Sequence, residues 1–204
     1  MKGNILVISG PSGSGKSSLM SKLLETITNS YFSISTTTRK RREGEVEGED
    51  YYYISKEKFE SDIDDGAFLE WAKVHDNYYG TSLKPILRAL NDGKVVIFDI
   101  DVQGHKIVRE KFGNLTTSVF ITTPDQIELQ SRLRDRGTDT KEVIDKRINN
   151  AVSEMTRIHE YDYLLINDHF DETLKELIAI ARASRHKTSG RDIEAFIANW
   201  ANVE

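Results

Sequence analysis

The sequence predicts an α/β protein built on a parallel β-sheet with helices on both faces, and three observations predict it. Four short apolar runs, residues 4–9 (NILVIS), 94–100 (KVVIFDI), 118–122 (SVFIT) and 163–167 (YLLIN), are near-continuous rather than alternating, as strands buried on both faces are. Helical patterns separate them: residues 83–91 precede the second run, 124–134 follow the third and 171–185 follow the fourth. The first run gives way through a glycine-rich loop to Leu19, Leu23, Leu24 and Ile27 at helical spacing, a strand, loop and helix in succession.

Three stretches depart from this pattern. Residues 33–81 are richer in aromatics and in alternating segments (YYYI, FLEWAKV, NYYGT), which predicts a small, partly β insertion packed beside the main sheet. After Arg136 the text turns polar (RGTDTKEVIDKRINNA), as an exposed helical excursion would be. A last helix, 191–202, places Ile193, Phe196, Ile197 and Trp200 on one stripe. Such stripes most often cover their own core, and that is the expectation here; a second subunit, and hence a homo-oligomer, is the alternative.

The bulk numbers bound the function. At 204 residues and 38% hydrophobic content the chain can bury a sizeable core. Its net charge of -5 speaks against a protein that coats nucleic acid, so any anionic ligand must be held by local cation clusters. The absence of cysteine excludes disulfides, thiolate metal sites and Cys nucleophiles. The opening MKGNILVISG is too short for a signal-peptide core, and no stretch approaches the roughly 20 apolar residues of a membrane span. A cytoplasmic enzyme, bound to neither membrane nor nucleic acid, is the expectation.

Gly10, Pro11, Ser12, Gly13, Ser14, Gly15, Lys16 and Ser17 fit the phosphate-loop pattern GxxxxGK[ST], between the strand and the helix that the motif requires. Glycines let backbone N–H groups turn inward around phosphate oxygens, and the helix N-terminus adds favourable dipole charge. Lys16 is placed to reach the β/γ oxygens and the Ser17 hydroxyl to ligate Mg²⁺, directly or through water. The fold class is therefore that of the P-loop nucleoside triphosphatases. Asp99 and Asp101 close a buried strand and should emerge on the same rim as the loop. One can tune Mg²⁺ or its waters, which is the reading for Asp99, and the other can hold a polar ligand. Residues alone leave open that they cap the next helix. Gly104 is compatible with close approach of the backbone to a ligand.

Five segments in order, ISGPSGSGKSSL, STTTRKRREGEVEGEDYYYIS, FLEWAKVHDNYYGTS, FDIDVQG and RLRDRGTDT with DKRINNA, closely resemble the guanylate kinases of bacterial type, over residues 2–185 or so. The resemblance implies transfer of the γ-phosphoryl of ATP to GMP, and to dGMP, with Mg²⁺. It implies three parts: a CORE (1–32, 82–123 and 152–204), a GMP-binding insertion (33–81) and a helical LID (124–151). It assigns GMP binding to Ser35, Arg39, Arg42, Tyr51, Glu70, Tyr79, Thr81 and Asp101. ATP binding falls to the loop residues with Ser18 and, bordering the adenine, Asn167. Arg132, Arg136 and Arg147 match the arginines that close over the phosphates, and these three with Lys16 and Arg39 form the implied catalytic set.

The chemistry of these residues agrees with the assignment. Guanine presents N1–H and an exocyclic amine as donors, so a carboxylate facing that edge favours it over adenine. Glu70, framed by Phe68, Leu69 and Trp71, is the candidate, although residues alone leave open a solvated glutamate on an alternating strand. Arg39 and Arg42 supply planar forks for one phosphate, and Tyr51 and Tyr79 complete its hydrogen bonds. Lys40 and Arg41 are expected to face solvent, as are Glu43, Glu45, Glu47, Glu49 and Asp50 around Gly44 and Gly48. Two other readings compete. A non-catalytic scaffold of the same fold typically lacks a working phosphate loop, which is complete here. A regulatory GTPase needs an NKxD-type motif, and Asn167-Asp168 lacks the intervening lysine.

Overall fold

The computed structural model describes residues 3–74, 76–137 and 139–201. Five strands, β1 (Asn4–Ser9), β2 (Ser30–Phe32), β7 (Val95–Asp99), β8 (Thr116–Thr122) and β9 (Tyr163–Ile166), form one sheet in the order β2-β7-β1-β8-β9, with every pairing parallel. All six residues of the central β1 are buried. Because side chains alternate along a strand, Leu6 and Ile8 face one side and Ile5 and Val7 the other. The first pair packs against Leu19 and Leu23 of α1 (Lys16–Thr26) and Leu177 and Ala181 of α7 (Phe170–Ser184). The second meets Ile86 and Leu90 of α3 (Leu83–Asn91) and Val108 of α4 (Val102–Phe112). The runs expected to be buried on both faces are so for β1, β7 and β8. The unforeseen β2 exists because its three residues pair with Val95, Val96 and Ile97, not because of any apolar run of its own.

A second sheet accounts for the aromatic segment. It comprises β3 (Thr36–Thr37), β4 (Tyr52–Tyr53), β5 (Phe68–Val74) and β6 (Asn77–Ser82) in the order β4-β3-β6-β5, with β3 and β4 parallel and the other pairs antiparallel. Helix α2 (Lys56–Asp64) covers it with Phe59, which is fully buried, its ring stacked 4.2 Å from Phe68 and 5.2 Å from Tyr78. Two further helices, α5 (Gln126–Asp135) and α6 (Lys141–Met155), share a small core of Leu129, Leu133, Ile144, Ile148 and Ala151. The polar run after Arg136 is thus helical as expected, and α6 continues past residue 151 without a break.

The last helix corrects an expectation. α8 (Ile193–Ala201) forms where its pattern predicts, its final expected residue, Asn202, lying outside the described residues. It does not cover the protein's own core: Phe196, Ile197 and Trp200 are 61%, 52% and 74% exposed. α1, α7, α3 and α4 already cover the central strands of the parallel sheet, and no α8 side chain joins the cores they form. Among the described residues no helix is long and apolar enough to cross a membrane.

The turn out of β1 is the tightest point of the fold. Gly10 has φ of 145°, and a Cβ placed on it would lie 1.9 Å from the Ile121 carbonyl oxygen. Neither the dihedral nor the contact admits a side chain, since the obstructing atom is backbone of the neighbouring strand. Gly10→Ala is expected to cost at least about 2 kcal/mol, a fall of roughly 4–8 °C in the melting temperature; an unchanged calorimetric melt would refute this account of the turn.

Candidate active site

The phosphate loop starts directly from that turn. Gly13 and Gly15 also take positive φ, 98° and 89°, and Gly15 caps α1 with no side-chain hydrogen bond to the helix's first N–H groups. Those donors and the helix dipole are therefore left to an anion. The loop is braced from behind: Asn167, 3% exposed, donates from Nδ2 to the Ser14 carbonyl at 2.8 Å, while its own N–H donates to Thr122 O at 2.7 Å. A Cβ on Gly15 would lie 2.3 Å from Asn167 Nδ2, which explains the glycine at that position. Lys16 opens α1 with its Nζ 3.6 Å from Asp99 Oδ1, because Asp99 pairs in register with Ile8 at the end of the adjacent β7. Ser17 and Ser18 stand exposed on the first turn of the helix.

Two arginines of the α5–α6 pair reach this loop. Arg147 donates through Nη1 to Ser12 Oγ and through Nη2 to Asp139 Oδ1 at 3.1 Å. Arg132 donates to Glu128 Oε1 at 2.6 Å one turn earlier on α5, and its Nη1 lies 4.0 Å from where a Gly15 Cβ would be. Leu129 and Leu133 touch the Gly13 face of the loop, which sets the pair close to it. Arg136, at the end of α5, is exposed, and its side chain has no hydrogen bond or ion pair among the described residues. An apolar cavity of about 230 Å³ lies nearby, lined by Pro11, Leu129, Ile148 and Met155 among others. Of the residues expected at ATP only Pro11 borders it.

The second group gathers on the small sheet. Glu70 on β5 sits in register with Thr81 on β6, and the Thr81 hydroxyl donates to Glu70 Oε1 at 2.6 Å. Thr81 is buried and Glu70 half-buried, so the carboxylate is fixed while Oε2 is left for another donor. Tyr51 and Tyr79 meet edge to face with ring centroids 5.9 Å apart, and the Arg39 guanidinium lies 5.4 Å from the centre of the Tyr51 ring. Ser35 is half-buried in the link between the two sheets, its carbonyl accepting from Tyr52 N at 2.9 Å. Arg42 extends into solvent with no side-chain partner among the described residues. Asp101 does cap α4, accepting from Gln103 N at 3.0 Å and Gly104 N at 2.8 Å, both at Oδ1.

The comparisons with known proteins agree with this geometry. The guanylate kinase family model matches residues 2–184. The chain belongs to the guanylate kinase family. It is 54% identical to the guanylate kinase of Wolinella succinogenes over 203 residues, 100% of this chain and 94% of that protein. With the guanylate kinase of Sulfurimonas denitrificans it shares 52% over 98% of each. The crystal structure of the guanylate kinase from Anaplasma phagocytophilum superposes with a TM-score of 0.74 at 31% identity, covering 100% of this chain and 97% of that one.

Within this guanylate kinase fold two expectations about local structure fail. Of the acidic run, Glu45 alone is drawn out of solvent. Glu45 accepts from Arg39 Nη2 at 2.6 Å, from Arg42 N at 2.8 Å and from the Tyr53 hydroxyl at 2.8 Å; Glu47 accepts from Tyr53 N at 3.2 Å, and Asp50 from Val46 N at 2.8 Å. The Arg39 guanidinium, then the Arg42 N–H, hold the Glu45 carboxyl down at about 2, well below its ordinary 4.5, and Arg39 is raised in turn. Burial, and after it the hydrogen bond to Glu45, pushes the Tyr53 hydroxyl up to about 12. The signal for Glu45 was its spacing, three residues after Arg42 and six after Arg39, on a turn closed by Glu45 N to Arg42 O. Gly104 is the other failure: a Cβ there would meet the Ile100 side chain at 3.0 Å, so its smallness serves packing of α4 on Ile100. Lys40, Arg41, Glu43, Glu47, Glu49 and Asp50 are exposed, as expected.

The brace behind the loop can be measured. Asn167→Ala strands the buried Ser14 carbonyl and is expected to cost about 1–3 kcal/mol in urea unfolding. Asn167→Asp, which turns an acceptor on an acceptor, should cost more. A parent-like midpoint for both would show that the loop is held by something else.

Proposed function

We propose that the chain is an ATP:GMP phosphotransferase, giving ADP and GDP, with dGMP as an alternative acceptor. The observation that carries this reading is the Glu70–Thr81 pair: a complete phosphate loop binds a donor, and a carboxylate anchored by a hydroxyl on a separate sheet chooses the acceptor. Each carboxylate oxygen has two lone pairs, so the Thr81 bond leaves Glu70 able to accept from guanine N1–H and the exocyclic amine. Adenine offers an acceptor at N1 and would confront the carboxylate with a lone pair. Ser35, Thr81 and Asp101, whose Oδ2 is free of the helix cap, complete the base contacts in this reading. Arg39, Arg42, Tyr51 and Tyr79 hold the α-phosphate.

The same reading divides the chain into a CORE of 1–32, 82–123 and 152–204, a GMP-binding insertion of 33–81 and a LID of 124–151. The separate sheet and the separate α5–α6 core support these parts. Lys16 and the loop N–H groups, with Ser18 in the first turn of α1, hold the ATP phosphates; Asn167 shapes the loop and borders the adenine. Arg132 and Arg147 stand at the loop ready to neutralise charge as the phosphoryl group passes, and Arg136 joins them on closure of the LID. Transfer needs alignment and charge neutralisation more than covalent help, and the attacking phosphate oxygen is already an anion, so no general base is required. Closure also keeps water from the reaction.

The residues fit Mg²⁺ as an ion carried with ATP. Among the described residues no cluster of three His, Asp or Glu side chains forms a protein cage, while Ser17 lies exposed beside the helix N-terminus and Asp99 beside Lys16. That donor set suits an ion ligated mainly by phosphate oxygens and water, with Ser17 direct or through water and Asp99 through water. When bound, the ion would supply charge neutralisation at the phosphates. The same reading places the enzyme in the cytoplasm among its nucleotide substrates, and the exposed α8 stripe suits a homo-oligomer.

A coupled assay of ADP release with ATP and Mg²⁺ tests the function, supplying GMP, dGMP, AMP, UMP and CMP in turn. Turnover with GMP should exceed that with AMP by at least about 10³-fold, in the range of sites that read hydrogen-bonding groups. Faster turnover with AMP or UMP would sink the reading, and binding without transfer would turn it toward a scaffold. Glu70→Gln should erode GMP-over-AMP discrimination by at least about ten-fold, one bidentate contact's worth, and leave the KM for ATP within about two-fold. An undiminished GMP preference would remove Glu70 from the base site.

A further inference from the structure

The Glu45 contacts go beyond what a buried carboxylate needs. Its two oxygens engage three donors from three places: the Arg39 guanidinium, the Arg42 backbone and the Tyr53 hydroxyl on β4. Both charged groups of the pair are largely withdrawn from solvent, 13% exposed for the Arg39 side chain and 18% for that of Glu45. Arg39 is pinned a second time, by Nη1 to the Lys40 carbonyl at 2.9 Å, and lies 5.9 Å from the centre of the Tyr53 ring. A guanidinium carries five N–H donors, so these two bonds leave three, including Nε. The fork is thus fixed in its orientation while most of its donors stay free.

We propose that Glu45 is a positioning residue for the acceptor's phosphate: it holds Arg39 against Tyr51 with its unused donors presented, and ties the Arg42 backbone to the same point. The inference rests on the reading of Arg39 and Arg42 as the GMP phosphate site. Its consequence is that a long, flexible arginine arrives at the anion with its rotamer entropy already lost, and that the two arginines, three residues apart, keep a fixed separation. Glu45 itself touches no substrate. A purely structural carboxylate, in contrast, would affect both nucleotides alike.

Steady-state kinetics of the full chain distinguish the two. Glu45→Gln keeps the shape and an acceptor but loses the charge; its KM for GMP should rise about ten-fold or more, the scale of one charge-assisted bond, with the KM for ATP within about two-fold. In an Arg39→Ala background the same substitution should add much less, because of the groups it positions only the Arg42 backbone remains. Glu45→Asp should recover part of the loss. Additive effects of the two substitutions, or equal shifts for ATP and GMP, would overturn the proposal. Should Glu45→Gln not fold, Tyr53→Phe removes one tether alone: a rise of about two- to five-fold in the KM for GMP, the worth of a neutral hydrogen bond, supports it, and no rise overturns it. The parent's own turnover with GMP tests the underlying reading first. A parent active on GMP beside an equally effective Glu45→Gln would defeat this inference and leave that reading standing.

Discussion

The rest of the structure depends on how the central strand ends. β1 is buried on both faces and hydrogen-bonded on both edges, so it has no freedom to shift, and at its carboxyl end the backbone must turn under the Ile121 carbonyl. Only glycine fits that turn. The turn in its place fixes three further features: a loop that continues through positive φ at Gly13 and Gly15, a helix with an uncapped first turn, and Lys16 beside the strand end that carries Asp99. A parallel sheet places its functional groups at the carboxyl ends of its strands because every strand points the same way. Here β1 supplies the loop, β7 the aspartate, and the segment after β9 the Asn167 brace.

Binding two polyanions with a chain of net charge -5 raises a second constraint, and the structure meets it pair by pair. Lys16 lies 3.6 Å from Asp99, Arg39 2.6 Å from Glu45, Arg132 2.6 Å from Glu128 and Arg147 3.1 Å from Asp139. Among the described residues, each expected phosphate-binding cation except Arg42 and Arg136 has a carboxylate partner on its own or a neighbouring element. The most exposed of these pairs, Arg132 with Glu128, contributes little to stability. The effect of the pairs is on orientation: they keep long side chains from wandering and keep like charges apart before any ligand enters. The two unpaired arginines are also the most solvent-exposed, at the tip of the acidic turn and at the end of α5.

This distribution explains what the sequence disclosed and what it hid. β1, β7 and β8 were legible because burial on both faces writes itself as an unbroken apolar run, and the phosphate loop because its glycines answer to backbone constraints local in the chain. β2 and β3 were not, since two or three residues become a strand only by pairing with partners far along the chain, as Thr36 does with Gly80. Glu70 could be proposed from its apolar frame, but its anchor at Thr81 is a cross-strand fact, eleven residues away. Glu45 was misread because composition treats a run of five acids as one object. Side-chain geometry does not: Glu45 is drawn between Arg39, Arg42 and Tyr53, while the other four acids stay in water. The α8 stripe was read correctly as a pattern, yet pattern alone cannot tell that the central strands were already covered by other helices.

The two sheets also differ in kind. In the large sheet, geometry is set by strands whose neighbours are fixed on both sides. In the small sheet, β3 and β4 have two residues each, and the structure is held by side chains: Phe59 between Phe68 and Tyr78, Thr81 on Glu70, Thr36 on Ser82 at 3.0 Å and Glu45 on Tyr53. The links between the sheets are brief, residues 33–35 between β2 and β3, and no residue at all between β6 and α3. Ser35, Thr81 and Tyr51 lie in or beside those links, whereas Arg39 and Arg42 lie farther along the chain. A rotation of the small sheet about its links would therefore move the two arginines proposed for the phosphate through a larger arc than the pair proposed for the base. A base seated first at Glu70 and Thr81 would keep its place while the arginines swing its phosphate toward the loop.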